Sequence, residues 1–172
     1  NFDTFKQHET KGSAYENLSE LPESVKQIID VENSENLVIQ HNNDLAYSQV
    51  SDQAKKDGVI IEGLSEALVN HSELVQKYFM TKAVDIDEHR LTALHTALMN
   101  GGIFVYIPKN VVVEHPIQYV VLHDDDNASF YNHVILVTEE SAEVTYVENY
   151  LSNANGEDNQ INIVSEVIAG AN

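Results

Sequence analysis

The run from Gly101 to Gln118 constrains the fold more than any other part of this chain. It begins with two glycines and continues as two short runs of β-branched and aromatic residues, which end at Pro108 and Pro116. Proline has no amide hydrogen for a sheet ladder, so both prolines are predicted at strand ends or turns. The run therefore marks a change from a mixed or helical N-terminal half to a strand-rich C-terminal half.

Length and composition favour a folded protein without a membrane-spanning segment. The 172 residues are 42% hydrophobic, which is enough for a packed core. No apolar stretch approaches the roughly 20 residues of a membrane-spanning helix, and no signal peptide is visible. The chain has no cysteine, which excludes disulfides and thiolate ligands and fits a cytoplasmic location.

The charge is strongly negative, at −19. Lys109 is the only basic residue from 101 to 172, where 11 residues are acidic. Such a surface repels phosphate backbones and anionic lipids, so no nucleic-acid or membrane partner is predicted.

Hydrophobic patterning predicts a flexible lead-in over 1–16 and a mixed helical domain over 17–100. Leu37–His41 and Leu45–Val50 are predicted as two strands of a hairpin around Asn42 and Asn43. A helix is predicted over 65–82, with a break near His71.

A second helix is predicted from Asp87, as its cap, through Asn100, with Gly101 as the left-handed residue that closes it. Three leucines are predicted on its core face: Leu91, Leu94 and Leu98. Strands are then predicted to begin near Phe104, Val111, Tyr119, His133, Val144 and Ile161. The run His133–Val137 is apolar on both faces, which indicates a strand covered on both sides.

The candidate metal ligands have ordinary structural interpretations. His115, His123 and His133 could bind Zn²⁺ or Fe²⁺ if they converged, but we predict outward or turn positions for them. The run from Asp124 to Asn127 lacks the glycine and glutamate of a calcium loop, so a solvated turn is predicted. The group Asp85, Asp87, Glu88 and His89 is predicted to start a helix.

Glu139, Glu140, Glu143 and Glu148 raise an enzyme alternative, because β-helix enzymes use carboxylates to cleave acidic polysaccharides. Such sites usually require Arg or Lys beside a uronate, and the strand half offers Lys109 alone. No Gly-x-Ser-x-Gly elbow or phosphate-binding glycine loop is present. We therefore assign no catalytic, cofactor-binding or metal residue.

Several segments resemble the SufB/SufD family. They are Gly58–Ile61, Leu64–Ala67, Leu91–Leu98, Gly101–Gly102, Phe104–Lys109, Val113–Gln118 and Glu143–Glu148. The likeness is strong over about 55–172 and weak before it. Met99 and Asn110 favour the SufD branch, because SufB chains usually carry a bulkier residue and a glycine at those positions.

The resemblance implies an α+β N-terminal region followed by an all-β right-handed parallel β-helix, of which 101–172 would hold the first rungs only. It also implies a scaffold subunit that acts in iron–sulfur cluster assembly with a SufB-like homologue and a SufC-type ABC ATPase. Clusters need thiolate ligands, and this chain has none. The complex would therefore handle the cluster, and this chain would bind no cofactor itself.

The two ends of the sequence suggest that it belongs to a longer protein. It begins with Asn, and Ile168–Asn172 looks like a turn that awaits another strand. A β-helix edge left open there is predicted to support homo-oligomers. The alternatives left open are a β-helix carbohydrate-active enzyme or binding module and an acidic metal-binding module.

Overall fold

The computed structural model describes residues 14–126, 129–153 and 160–171. The helices are α1 (Glu23–Lys26), α2 (Asp52–Lys56), α3 (Leu64–Asn70), α4 (Ser72–Tyr78) and α5 (Arg90–Leu98). The strands are β1 (Asn36–His41), β2 (Asp44–Gln49), β3 (Ile60–Gly63), β4 (Gly101–Ile107), β5 (Ile117–His123), β6 (Ser129–Thr138), β7 (Tyr146–Ser152) and β8 (Gln160–Ala169). None of the helices in this described part is long and apolar enough to cross a membrane.

The fold divides into two compact units, each with one four-stranded sheet. The first draws on Asn1–Asp52, Val113–Ser129 and Val144–Gln160, and the second on Gln53–Val112, Phe130–Glu143 and Ile161–Asn172. From β4 onward, successive strands belong to alternate units. The sequence-continuous domains 17–100 and 101–172 remain a prediction.

The first unit has the strand order β2-β1-β5-β7. β1 and β2 form an antiparallel hairpin, and β1, β5 and β7 run parallel. The predicted hairpin is confirmed, and Asn42 occupies its turn with a φ of 53°. Val25 and Ile29 pack against Leu37, Ile39 and Val120 in this unit's core.

Tyr15 lies inside the predicted flexible lead-in but is already held by the first unit. Its backbone N–H donates to the Ala46 carbonyl at 2.8 Å, and its side chain packs against the core. Residues 1–13 of the predicted lead-in lie outside the described residues.

The second unit has the strand order β3-β4-β6-β8, with β3 antiparallel and β6 parallel to β4. α3 and α4 cover this sheet through a core of Leu64, Ala67, Val75, Tyr78, Phe104, Ile135 and Val137. The predicted break near His71 separates the two helices, and β6 is buried on both faces, as predicted. Pro108 and Pro116 flank strands, which confirms the first prediction made above.

The helix predicted over 87–100 needs three corrections. α5 begins at Arg90, and its cap is His89 instead of Asp87, because the His89 ring accepts a hydrogen bond from the Leu91 amide. Leu91 is half exposed, so it is not a core residue. Gly101 begins β4 and closes no helix, because Met99 turns the backbone into an extended conformation first.

Two predicted strands are also shorter than expected. At Val111 the structure has only an isolated bridge, between Val112 and Glu143. The strand predicted from Val144 begins at Tyr146.

Candidate functional site

The second unit contains a buried chain of polar side chains. His133 on β6 lies between His95 on α5 and Glu166 on β8, and all three side chains are shielded from solvent. His133 Nε2 is 2.8 Å from Glu166 Oε1, and His133 Nδ1 is 3.0 Å from His95 Nε2. His95 Nδ1 is 3.1 Å from Asn162 Oδ1, which completes the chain. We call these four residues the polar chain.

Gly102 allows β4 to approach β6 closely at His133, which is a member of the polar chain. Gly102 on β4 pairs with His133, and its φ is +150°. A Cβ at Gly102 would lie 2.0 Å from the His133 carbonyl oxygen, so only glycine allows the strands to meet here. The Phe79 ring packs against the His133 ring, with 4.8 Å between centroids.

The two end acceptors determine how protons are distributed in the polar chain. Asn162 Oδ1 only accepts, so His95 Nδ1 carries a hydrogen and donates it. The Met80 backbone N–H donates to Glu166 Oε1 at 2.8 Å, and His133 Nε2 lies 2.8 Å from the same oxygen. One hydrogen remains for the contact between the rings, and His133 Nδ1 donates it to His95 Nε2. In this arrangement His95 is neutral, with its hydrogen on Nδ1 and with Nε2 as the acceptor.

Electrostatics agree with a neutral His95. Burial lowers the pKa of His95 from 6.5 to about 4, and the positive charge of His133 lowers it further. The hydrogen bond to Asn162 acts in the opposite direction but is weaker. Glu166 Oε2 is buried without a hydrogen-bond partner in the described part of the chain.

Because it is closed to solvent, the polar chain is suited to fixing elements to one another rather than to contacting a substrate. Among the described residues, no three His, Asp or Glu side chains are grouped to hold one metal ion. The polar chain instead connects α5, β6, β8 and the segment that follows α4.

The structure separates the three histidines predicted at outward or turn positions. His133 and His123 are buried inside strands, so that prediction is wrong for both. His115 is half exposed, with its Nδ1 3.5 Å from Glu35 Oε2. His133 belongs to the second unit, and the other two belong to the first.

The acidic run after β5 includes a specific contact as well as a turn. Asp124 Oδ2 lies 2.9 Å from His41 Nε2, and Asn42 Nδ2 donates to Asp124 Oδ1 at 3.1 Å. Burial raises the pKa of Asp124, but the hydrogen bonds from His41 and Asn42 outweigh burial and lower it below its usual value. Asn127 lies outside the described residues.

Of the four residues predicted to start a helix, only His89 caps α5, and Asp85 lies in the turn before it. Its side chain accepts a hydrogen bond from the Asp87 amide. Glu88 contributes the amide that donates to the Asp85 carbonyl.

The four glutamates considered for an enzyme do not share a common partner in the structure. Glu139 accepts from Tyr78 at 2.6 Å and Tyr106 at 3.3 Å, and the Tyr78 bond is the main cause that lowers the pKa of Glu139. Lys109 pairs with Glu140 at 2.8 Å. Glu148 accepts from Tyr146 and belongs to the first unit, whereas Glu143 is exposed.

Sequence reasoning missed His95 and Glu166. The one signal for His95 was a histidine between Leu94 and Leu98 in a helix with few other polar core candidates. Glu166 gave no signal, because it lies between valines and isoleucines that look like the buried residues of β8.

Comparison with known proteins places the chain in a family. Residues 17–119 match the family model described as "SufBD protein N-terminal region". The iron-sulfur cluster assembly protein SufD of Bacillus subtilis (strain 168) is 45% identical over 100% of this chain and 40% of its own length. The iron-sulfur cluster assembly SufBD family protein of Staphylococcus aureus (strain USA300) is 27% identical over 75% of this chain and 29% of its own length.

The chain therefore belongs to the SufB/SufD family and, within it, is most like SufD. It spans less than half the length of these relatives.

Proposed function

We propose that this chain acts as a non-catalytic scaffold subunit in cytoplasmic iron–sulfur cluster assembly, where it pairs with a SufB-like homologue and a SufC-type ABC ATPase. The observation that carries the proposal is the 45% identity to a SufD protein along the whole chain. The absence of cysteine agrees with a supporting role, because thiolate ligands for the cluster must then come from the partner.

The strand arrangement supports a parallel β-helix as the scaffold's framework. β1, β5 and β7 extend one sheet in parallel, and β4 and β6 extend the other in parallel. Each passage of the chain thus adds one strand to each sheet in turn, which is how a β-helix grows.

β8 supports the further proposal that copies or homologues associate through a sheet edge. It is the end strand of the second sheet in the described part of the chain. Ile161, Ile163 and Val167 lie on its exposed face, and exposed apolar residues on an edge strand favour pairing with another chain.

The structure gives no support to the alternative of a carbohydrate-active enzyme, which would need a cation beside the substrate in the strand half. The Lys109 ammonium already pairs with Glu140, so it is not placed to neutralise a uronate. We therefore retain this alternative only as an outcome of the test below.

The test is a pull-down of the tagged full-length protein from native extract under reducing conditions, followed by mass spectrometry. A tagged, unrelated protein of similar negative charge serves as the control, because a charge of −19 attracts basic proteins nonspecifically. Stoichiometric recovery of an ABC ATPase and a cysteine-bearing homologue supports the proposal. Recovery of neither, together with sugar release from a polysaccharide panel, overturns it in favour of the enzyme.

A further inference from the structure

Helix α5 is attached to the second unit in an unusual way. His95 is the only fully buried residue of α5. Leu91 is half exposed, and Leu94 and Leu98 are only partly buried. Apolar burial usually holds a helix on its domain, but here the most deeply placed contact is a hydrogen-bonded imidazole.

Strand β8, which is the neighbour of β6 in the second sheet, supplies the other members of the polar chain. It turns Glu166, and in part Asn162, toward the interior, whereas Ile161, Ile163 and Val167 are exposed. The two ends of the polar chain are therefore both on β8, and its middle is formed by α5 and β6.

A second proton has no place in this arrangement. His95 Nε2 is the acceptor for His133 Nδ1–H, so a hydrogen added at Nε2 would point directly at another hydrogen. It would also place a positive charge on a side chain that is fully buried from solvent. The titratable groups that face His95 are His133, Glu166 and the ring of Tyr131, and only Glu166 could offset that charge.

We propose that the polar chain His95–His133–Glu166–Asn162 is a proton-sensitive latch that docks α5 onto the second sheet and releases it when His95 takes up a proton. The latch is a conformational device that works locally, because His95 is the one fully buried residue of α5. Release would expose the α5 face of the sheet while α3 and α4 stay in place through their own apolar core.

The size of the effect follows from linkage. Undocked His95 takes up a proton below its ordinary pKa of 6.5, whereas docked His95 resists protonation down to about 4. The ratio of undocked to docked states should therefore rise about twentyfold between pH 7 and pH 5.

Hydrogen exchange on the full-length protein tests this latch. Protection factors, which remove the intrinsic pH dependence of exchange, are measured at pH 7 and pH 5 for peptides from α5, β8 and, as the internal reference, α3. We expect α5 to lose about twentyfold in protection relative to α3, whereas β8 keeps its protection through its pairing with β6. An equal change in all three elements would overturn the proposal.

Two variants assign the effect to His95. Gln at position 95 can donate to Asn162 and accept from His133 but does not titrate, so His95→Gln should remove the pH dependence of α5 protection. The matched control, His115→Gln, changes a half-exposed histidine of the first unit and should leave that dependence intact. Persistence of the dependence in His95→Gln would contradict the latch.

A measurement on the unmodified protein covers the case in which His95→Gln does not fold. Nitrogen NMR of labelled histidines should show His95 neutral at pH 6 with its hydrogen on Nδ1. A hydrogen on Nε2, or titration at the ordinary pKa, would refute the proposal.

Discussion

His133 and Glu166 are separated by 33 residues, yet they form a 2.8 Å hydrogen bond from which solvent is fully excluded. The bond joins β6 to β8 inside the second unit. Removing one member of such a buried pair leaves the other without its partner, and this cost is large.

Glu166→Gln should therefore lower the free energy of unfolding by about 3 kcal/mol, because the buried His133 side chain loses its carboxylate partner. Urea unfolding at pH 7 measures the change. Glu143→Gln, which alters an exposed carboxylate, serves as the control and should change stability by less than about 0.5 kcal/mol. Equal stability of the two variants would show that the pair is uncharged or weak.

The pH dependence of stability should carry a contribution from His95. Its folded pKa lies below its unfolded value, so the unfolded state binds a proton first as the pH falls. Stability is then complete above pH 6.5, declines toward pH 4 and changes no further below it, by about 3 kcal/mol in total. Carboxylates with a lowered pKa, such as Glu139, also change the stability in part of this pH range. The measurement is therefore the difference in the free energy of unfolding between the native protein and His95→Gln across pH 4–7. A constant difference would contradict the assignment.

Gly102→Ala should destabilise the second unit by about 3 kcal/mol or more, because the new Cβ collides with the His133 carbonyl and the backbone conformation disfavours L-residues. Thermal unfolding measures the loss. Gly101→Ala is the matched control, since the backbone of Gly101 is not in the left-handed region. A similar effect of both substitutions would mean that strand propensity alone is responsible.

Tyr78→Phe should raise the pKa of Glu139 toward its ordinary value, because the 2.6 Å hydrogen bond from Tyr78 is the main cause of the lowering. Carbon NMR titration of the glutamate carboxyls follows the shift. Tyr106→Phe removes a longer bond of 3.3 Å and should shift the pKa of Glu139 less. The reverse order of effects would refute this account.

Replacing Ile161 and Val167 with Thr should reduce self-association, because both side chains are exposed on the β8 edge strand. Sedimentation of the 172-residue chain over a concentration series measures the association. The control is a threonine substitution of Val31, which is exposed on the first unit. Unchanged association in the double variant would exclude the β8 edge as the contact.

Local chemistry explains the predictions that succeeded. Asn42 readily adopts a left-handed turn conformation, and Pro108 and Pro116 cannot donate a hydrogen bond to a sheet ladder. The residue type and its immediate sequence neighbours are therefore enough to place all three at turns or strand ends. The apolar run His133–Val137 was recognised as a doubly covered strand because both of its faces are apolar.

The failures occurred where a residue's partner is distant in the sequence. His133 was predicted to point outward because buried histidines are uncommon, and nothing near it in sequence reveals His95 or Glu166. α5 was predicted to present three leucines to the core, but His95 occupies the deepest position. His89 displaced Asp87 as the cap because its ring reaches the Leu91 amide.

By itself, the sequence determined the family, the turns and breaks, and most strands, because each of these depends on residues that are close together along the chain. Only the tertiary structure decided which face of β8 is buried. Both faces of that strand carry apolar residues, so a period of two could not choose between them. Glu166 determines which face is buried. Its carboxylate can be buried favourably only where His133 and the Met80 amide are placed to bind it.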